Sequence, residues 1–267
     1  MSRIATVFEA LKKEGRAALI PFITCGDPDI ATSRAILEAL PGAGADIIEL
    51  GLPFSDPMAD GPVIQAASER ALRAGTRAED LLGLVRDFRT RHQTPIVIMT
   101  YANPVEVYGT ARFCREAAEA GVDGLLLVDV PVEEMDSFAP QMAENGLDPI
   151  LLAAPTSTEN RLVALGQQGK GFVYFVSVTG VTGVKRAHSD ALRAHLEQAR
   201  RFIQQPIGVG FGISSPEQVR EIAAFADAVI VGSAVVRKIE EGLEQRDKIA
   251  EDVAEFVRSL RRALDPH

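Results

Sequence analysis

Short apolar runs recur along the chain, each followed by a loop rich in glycine, proline or aspartate and then by a stretch of helical periodicity. The runs occupy 19–23, 47–50, 96–99, 125–128, 150–152, 172–176, 207–209 and 228–231. Runs this continuous mark strands buried on both faces, as a parallel sheet requires. Between them, apolar residues fall on single helical stripes, as with Ile36, Leu37 and Leu40, or Leu81, Leu84, Val85 and Phe88. Ile249, Val253, Phe256, Val257 and Leu260 form another, and Ile4, Val7, Phe8 and Leu11 predict a helix ahead of the first strand.

Eight strand–helix repeats within 267 residues predict an α/β fold, a single (β/α)8 TIM barrel spanning 1–267. It would carry an extra N-terminal helix and a short helix after strand 8. An open doubly wound sheet is the alternative, but it uses fewer strands and opens on a glycine-rich first turn. The first turn here reads Thr24-Cys25-Gly26-Asp27-Pro28.

One run carries a residue that does not belong in an apolar core. Glu49 lies between Ile48 and Leu50, where a carboxylate loses hydration and must find a partner or hold its proton. Eleven residues later, Asp60 closes a loop stiffened by Pro53, Pro57 and Pro62. Both fall toward the carboxyl end of the second strand, the rim on which barrels carry their reacting groups. Tyr174 joins them if its neighbours Val173 and Phe175 face the helices, although a buried tyrosine with a satisfied hydroxyl would read the same.

Two glycine-bearing segments follow the last two strands: Gly210-Phe211-Gly212-Ile213-Ser214 and Val231-Gly232-Ser233-Ala234. Barrels bind phosphate there, because glycine lets backbone N–H groups approach an oxyanion and a helix N-terminus adds a favourable dipole. Neither segment contains lysine or arginine, so a backbone cradle for a phosphomonoester is expected. The loop 177–185 is long and rich in small residues, a composition that suits a lid over a substrate.

Bulk properties narrow the classes. A net charge of −9 argues against a nucleic-acid partner. Cys25 and Cys114 are the only cysteines, too few for a disulfide framework, and the four histidines never fall at metal-ligand spacing. Apolar runs stay far short of the roughly 20 residues of a membrane span, and the start reads as an amphipathic helix, so a cytoplasmic protein is expected.

Several segments resemble the tryptophan synthase alpha chain family: Pro21 to Pro28, Glu49 to Pro62, Tyr101-Ala102-Asn103-Pro104, Asp129-Val130-Pro131, Gly180-Val181-Thr182-Gly183 and Gly210 to Ser214. The likeness runs in order from the first helix to the last. It implies a carbon–carbon lyase that splits indole-3-glycerol phosphate into indole and glyceraldehyde 3-phosphate. Glu49 would then be the general acid/base, Asp60 the carboxylate facing the indole N–H, and Tyr174 a supporting group. Phe22, Ile64, Leu126 and Leu152 would wall the indole, Gly183, Gly212, Gly232 and Ser233 would hold the phosphate, and Thr182 would close against Asp60; Gly210, from the first glycine segment, is expected among the substrate-binding residues. The resemblance also implies a beta subunit in an α2β2 heterotetramer, docked on a surface that includes the stretches from Pro53 to Asp56 and from Asn103 and Pro104 to Tyr108. No cofactor is expected in this chain, pyridoxal phosphate belonging to the beta partner.

The residues fit that chemistry. A ring carbon must be protonated before the ring can leave as a neutral molecule, and desolvation of Glu49 raises its pKa toward neutrality. Asp60 must stay ionised against a developing cation, which its polar loop is expected to favour. Three alternatives remain: a different phosphate-binding barrel enzyme, a non-catalytic activating subunit, and a stand-alone lyase releasing free indole. A Schiff-base aldolase is the least suited, since none of the eight runs contains lysine.

Overall fold

The computed structural model describes residues 2–176, 185–210 and 212–265. Its strands, all parallel, are β1 (Ala18–Thr24), β2 (Ile48–Gly51), β3 (Ile96–Thr100), β4 (Gly124–Leu127), β5 (Asp148–Pro149), β6 (Leu151–Ala153), β7 (Val173–Val176), β8 (Ile207–Gly210) and β9 (Ala228–Val231). Their order is β5-β4-β3-β2-β1-β9-β8-β7-β6. The two end strands are consecutive in the chain, separated by Ile150 alone, whose N–H bonds the Leu125 carbonyl at 2.9 Å. The ladder therefore runs round a TIM barrel whose fifth stave comes in two pieces, where the sequence predicts one strand over 150–152. Pro149 accounts for part of the break, having no N–H to give to a ladder.

Alternation sorts the side chains into two layers. Leu19, Ile23, Ile48, Leu50, Val173 and Phe175 pack outward, in one cluster with Ile36, Leu81, Phe88, Val253 and Leu260 of the surrounding helices. Ala18, Ile20, Ile47, Val97, Leu126, Ile150, Phe172 and Ile230 point into the barrel. The helix Arg3–Glu14 plugs its amino-terminal end with Ile4, Phe8 and Leu11, the Phe8 and Phe172 rings lying 5.9 Å apart.

Three strand starts at that end repeat one device. Asp46, Asp123 and Asp227 each accept the N–H of a residue in the neighbouring strand (Leu19, Ile96 and Ile207), all at 2.8 Å. Each is also paired with an arginine, Arg16, Arg89 and Arg200 respectively. Asp123 further holds Arg3 of the plug helix at 2.8 Å. These charges fasten the closed end, which leaves the carboxyl ends of the strands free to shape a pocket. No helix among the described residues is long and apolar enough to cross a membrane.

Candidate active site

At the carboxyl ends of the strands the barrel opens into a cavity of about 480 Å³. β2 places Glu49 on its inner side, because Ile48 and Leu50 take the outer one. Glu49 is 2% exposed, in register with Phe22 on β1 and Val97 on β3. Its Oε1 has no hydrogen-bond partner among the described residues. Burial, and secondarily the charge of Asp60, push its pKa up from 4.5 to about 8. At neutral pH this carboxyl is an acid holding its proton.

Asp60 enters from the loop between β2 and the helix Pro62–Arg73 and borders the same cavity. Its Oδ2 accepts the Tyr101 hydroxyl at 3.0 Å. The polar loop does not keep its pKa low, as the sequence leads one to expect. Burial carries it up to about 6, against the lowering effect of the Tyr101 bond. Asp60 remains the anion of the pair at pH 7, with a narrower margin. Two carboxyl groups whose environments separate their pKa values are an acid and an anion at one pH.

Tyr174 faces inward on β7, while Val173 and Phe175 join the outer layer, and it lines the cavity with the carboxylates. Burial and the two carboxylates raise its pKa well above that of an ordinary phenol, so it stays neutral. Phe22, Ile64, Leu126 and Leu152 supply apolar wall, as do Met99, Val128 and Val176. Gly212, with φ of 77°, also borders the cavity, together with Gly232 and Ser233. The helix Ser233–Glu241 starts there without a side-chain cap, and the first N–H groups of a helix have no acceptor within it.

Gly210 differs from its expected role. It does not border the cavity, and a β-carbon there would collide with the Tyr174 hydroxyl. Its lack of a side chain makes room for that ring. Thr182 and Gly183, with the rest of the expected lid and Phe211, lie outside the described residues.

Two residues of this region are given no site role by the sequence, although Tyr101 stands in one of the segments that carry the resemblance. Tyr101 follows β3 directly, and its bond to Asp60 depends on a fold that spacing alone does not reveal. Arg237, one turn into the helix Ser233–Glu241, brings a cation to the cavity wall that the two glycine segments lack. Periodicity within that helix, which buries Val235, Val236 and Ile239, was the available signal.

The expected docking residues are unequally exposed. Asp56 and Asn103 are exposed, Pro104 is partly so, and Pro53 is buried. Tyr108 turns toward its own chain, donating to Glu116 at 2.5 Å. Val107, inside the expected 103–108 stretch, is 82% exposed, and beside the other stretch stands Met58, 85% exposed, which the sequence reading does not mark.

Comparison with known proteins gives one answer over nearly the whole chain. The family model described as tryptophan synthase alpha chain matches residues 8–265. Tryptophan synthase alpha chains of Pelobacter propionicus and Methylibium petroleiphilum are 50% and 51% identical, over 99% of this chain and 98% and 97% of theirs. The crystal structure of the alpha subunit from Legionella pneumophila aligns with a TM-score of 0.93 and 39% identity, covering 99% of each chain. A chain of Mycobacterium tuberculosis tryptophan synthase aligns with a TM-score of 0.90 and 39% identity, covering 100% of this chain and 99% of that one.

Proposed function

The chain belongs to the tryptophan synthase alpha chain family, and from that premise we propose that its cavity cleaves indole-3-glycerol phosphate into indole and glyceraldehyde 3-phosphate. It is an enzyme subunit, a carbon–carbon lyase of tryptophan biosynthesis. The observation that carries the assignment is the pairing of a buried, protonated Glu49 with an ionised Asp60 in one apolar cavity ending at an uncapped helix N-terminus.

Glu49 gives its proton to the ring carbon that bears the glycerol chain, and the indole becomes a cation. Asp60 accepts the ring N–H and meets that charge in a site of low polarity. The Glu49 carboxylate then takes the proton of the chain's adjacent hydroxyl while the carbon–carbon bond breaks. Its electrons return to the ring and a carbonyl forms on the released fragment. One proton leaves Glu49 and one comes back, so the enzyme ends as it began.

Phe22, Ile64, Leu126 and Leu152 enclose the ring, and Tyr174 packs beside the carboxylates in a supporting role. The phosphate lies against the N–H groups at Gly212, Gly232 and Ser233, with Arg237 adding charge at the edge. The family likeness assigns a lid role to Thr182 and phosphate binding to Gly183, both outside the described residues.

The indole passes to a beta subunit within an α2β2 assembly in the cytoplasm, where pyridoxal phosphate serves the second half-reaction. Met58 and Val107, exposed apolar side chains flanking Asp56 and Asn103, support a partner surface there and weigh against a self-sufficient lyase. The test is direct. The full chain is incubated with indole-3-glycerol phosphate, alone and with a beta subunit, and indole release is followed. Release that Glu49→Gln abolishes is expected; no release in either setting would overturn the assignment.

A further inference from the structure

Tyr101 is 3% exposed and does not border the cavity, yet it meets the loop between β2 and the helix Pro62–Arg73 at three points. Its hydroxyl accepts the Ala59 N–H at 3.0 Å and donates to Asp60 Oδ2 at 3.0 Å. Its ring lies 5.2 Å from that of Phe54. A hydroxyl has one proton to give, and the amide bond from Ala59 uses its acceptor side, so the proton is aimed at Asp60.

We propose that Tyr101 is a positioning residue for the cleavage reaction, anchoring the loop to the end of β3 and fixing the Asp60 carboxylate that faces the ring. The role rests on the reading of Asp60 given above. It differs from general packing because it needs one oxygen atom: the ring alone would hold Phe54 and leave Ala59 N–H and Asp60 Oδ2 without it.

The anchor also sets how readily Asp60 ionises. A donated hydrogen bond favours the carboxylate over the acid. The other charged or titratable groups on the cavity wall are Glu49 of β2, Tyr174 of β7 and Arg237 of the helix Ser233–Glu241. Asp129, after β4, acts on Tyr101 itself. None of them is removed by Tyr101→Phe, which keeps the ring and deletes only the hydroxyl.

The test is a carbon-13 NMR titration of the aspartate carboxyls in the full chain, wild type and Tyr101→Phe, paired with kcat and KM for indole-3-glycerol phosphate. The Asp60 midpoint should rise by about one unit in the variant, as for loss of a hydrogen bond to a charged acceptor. kcat should fall about tenfold, with KM changed less than about threefold, because the phosphate anchor is untouched. In the wild type, with no substitution at all, the Tyr101 ring carbon bearing the hydroxyl should report the same midpoint as Asp60. An unmoved Asp60 midpoint in the variant overturns the proposal, even if kcat falls, and so does a Tyr101 resonance that stays flat through the ionisation. A wild type that releases no indole while the midpoint still moves would overturn the cleavage reading and leave only the anchoring of the loop and of Asp60 by Tyr101 standing.

Discussion

Replacing Glu49 by glutamine should raise the protein's resistance to urea at alkaline pH while changing its stability far less at pH 5. Glu49 is 2% exposed, and its pKa rises from 4.5 to about 8 on folding. The folded state therefore keeps a proton that the unfolded chain gives up. Such a group contributes its full stability below pH 4.5, loses it as pH climbs, and has lost it above about 8. The slope is about 1.36 kcal/mol per unit of pH, which over this window amounts to about 5 kcal/mol as an upper bound. Glutamine copies the neutral carboxyl in shape and never titrates. Asp60 titrates in both proteins, so subtracting one unfolding curve from the other isolates Glu49. Urea unfolding at pH 5, 6.5 and 8 should show a gap that opens with pH in favour of Glu49→Gln. Curves that move in parallel over the whole range would refute the buried acid.

Other substitutions separate the parts of the molecule. Gly210→Ala should displace the Tyr174 ring, costing about 1–3 kcal/mol in urea unfolding and lowering kcat in the indole-release assay. Arg237→Gln should raise KM, and the inhibition constant of inorganic phosphate, by about three- to tenfold at unchanged kcat, as for one charge-assisted contact at an open site. Equal phosphate inhibition in both proteins would remove Arg237 from that contact. Asp123→Ala should unfasten Arg3, Arg89 and the Ile96 N–H at the closed end of the barrel, costing about 3–5 kcal/mol in urea unfolding. KM should not change, because the cavity lies at the opposite end.

How far the chain announces this site depends on the kind of signal each residue carries. Continuous apolar runs and helical stripes give the barrel, because burial on two faces leaves few other readings. The break at Ile150 escapes notice, since one proline beside an apolar run reads equally well as a strand start. Glu49 stands out because an ionisable group inside such a run needs an explanation. Asp60 is found from its loop, but its electrostatics are misjudged: a polar sequence neighbourhood says little about the apolar wall that folding brings against it. Tyr101 and Arg237 go unassigned for different reasons. Tyr101 reaches Asp60 across a tertiary contact to a loop from another strand, whereas Arg237 lies one helix turn beyond the glycine segment, where only the periodicity of that helix marks it. Gly210 shows the converse, a residue in the right segment whose space is taken by Tyr174.

The central claim is that the barrel mouth keeps a proton on Glu49 at neutral pH. A carbon-13 NMR titration of the glutamate carboxyls, with Glu49 assigned by its absence in Glu49→Gln, measures this directly. The account predicts a carboxyl still protonated at pH 7 and a midpoint at about 8, and a midpoint at 4.5, the ordinary value, would contradict it.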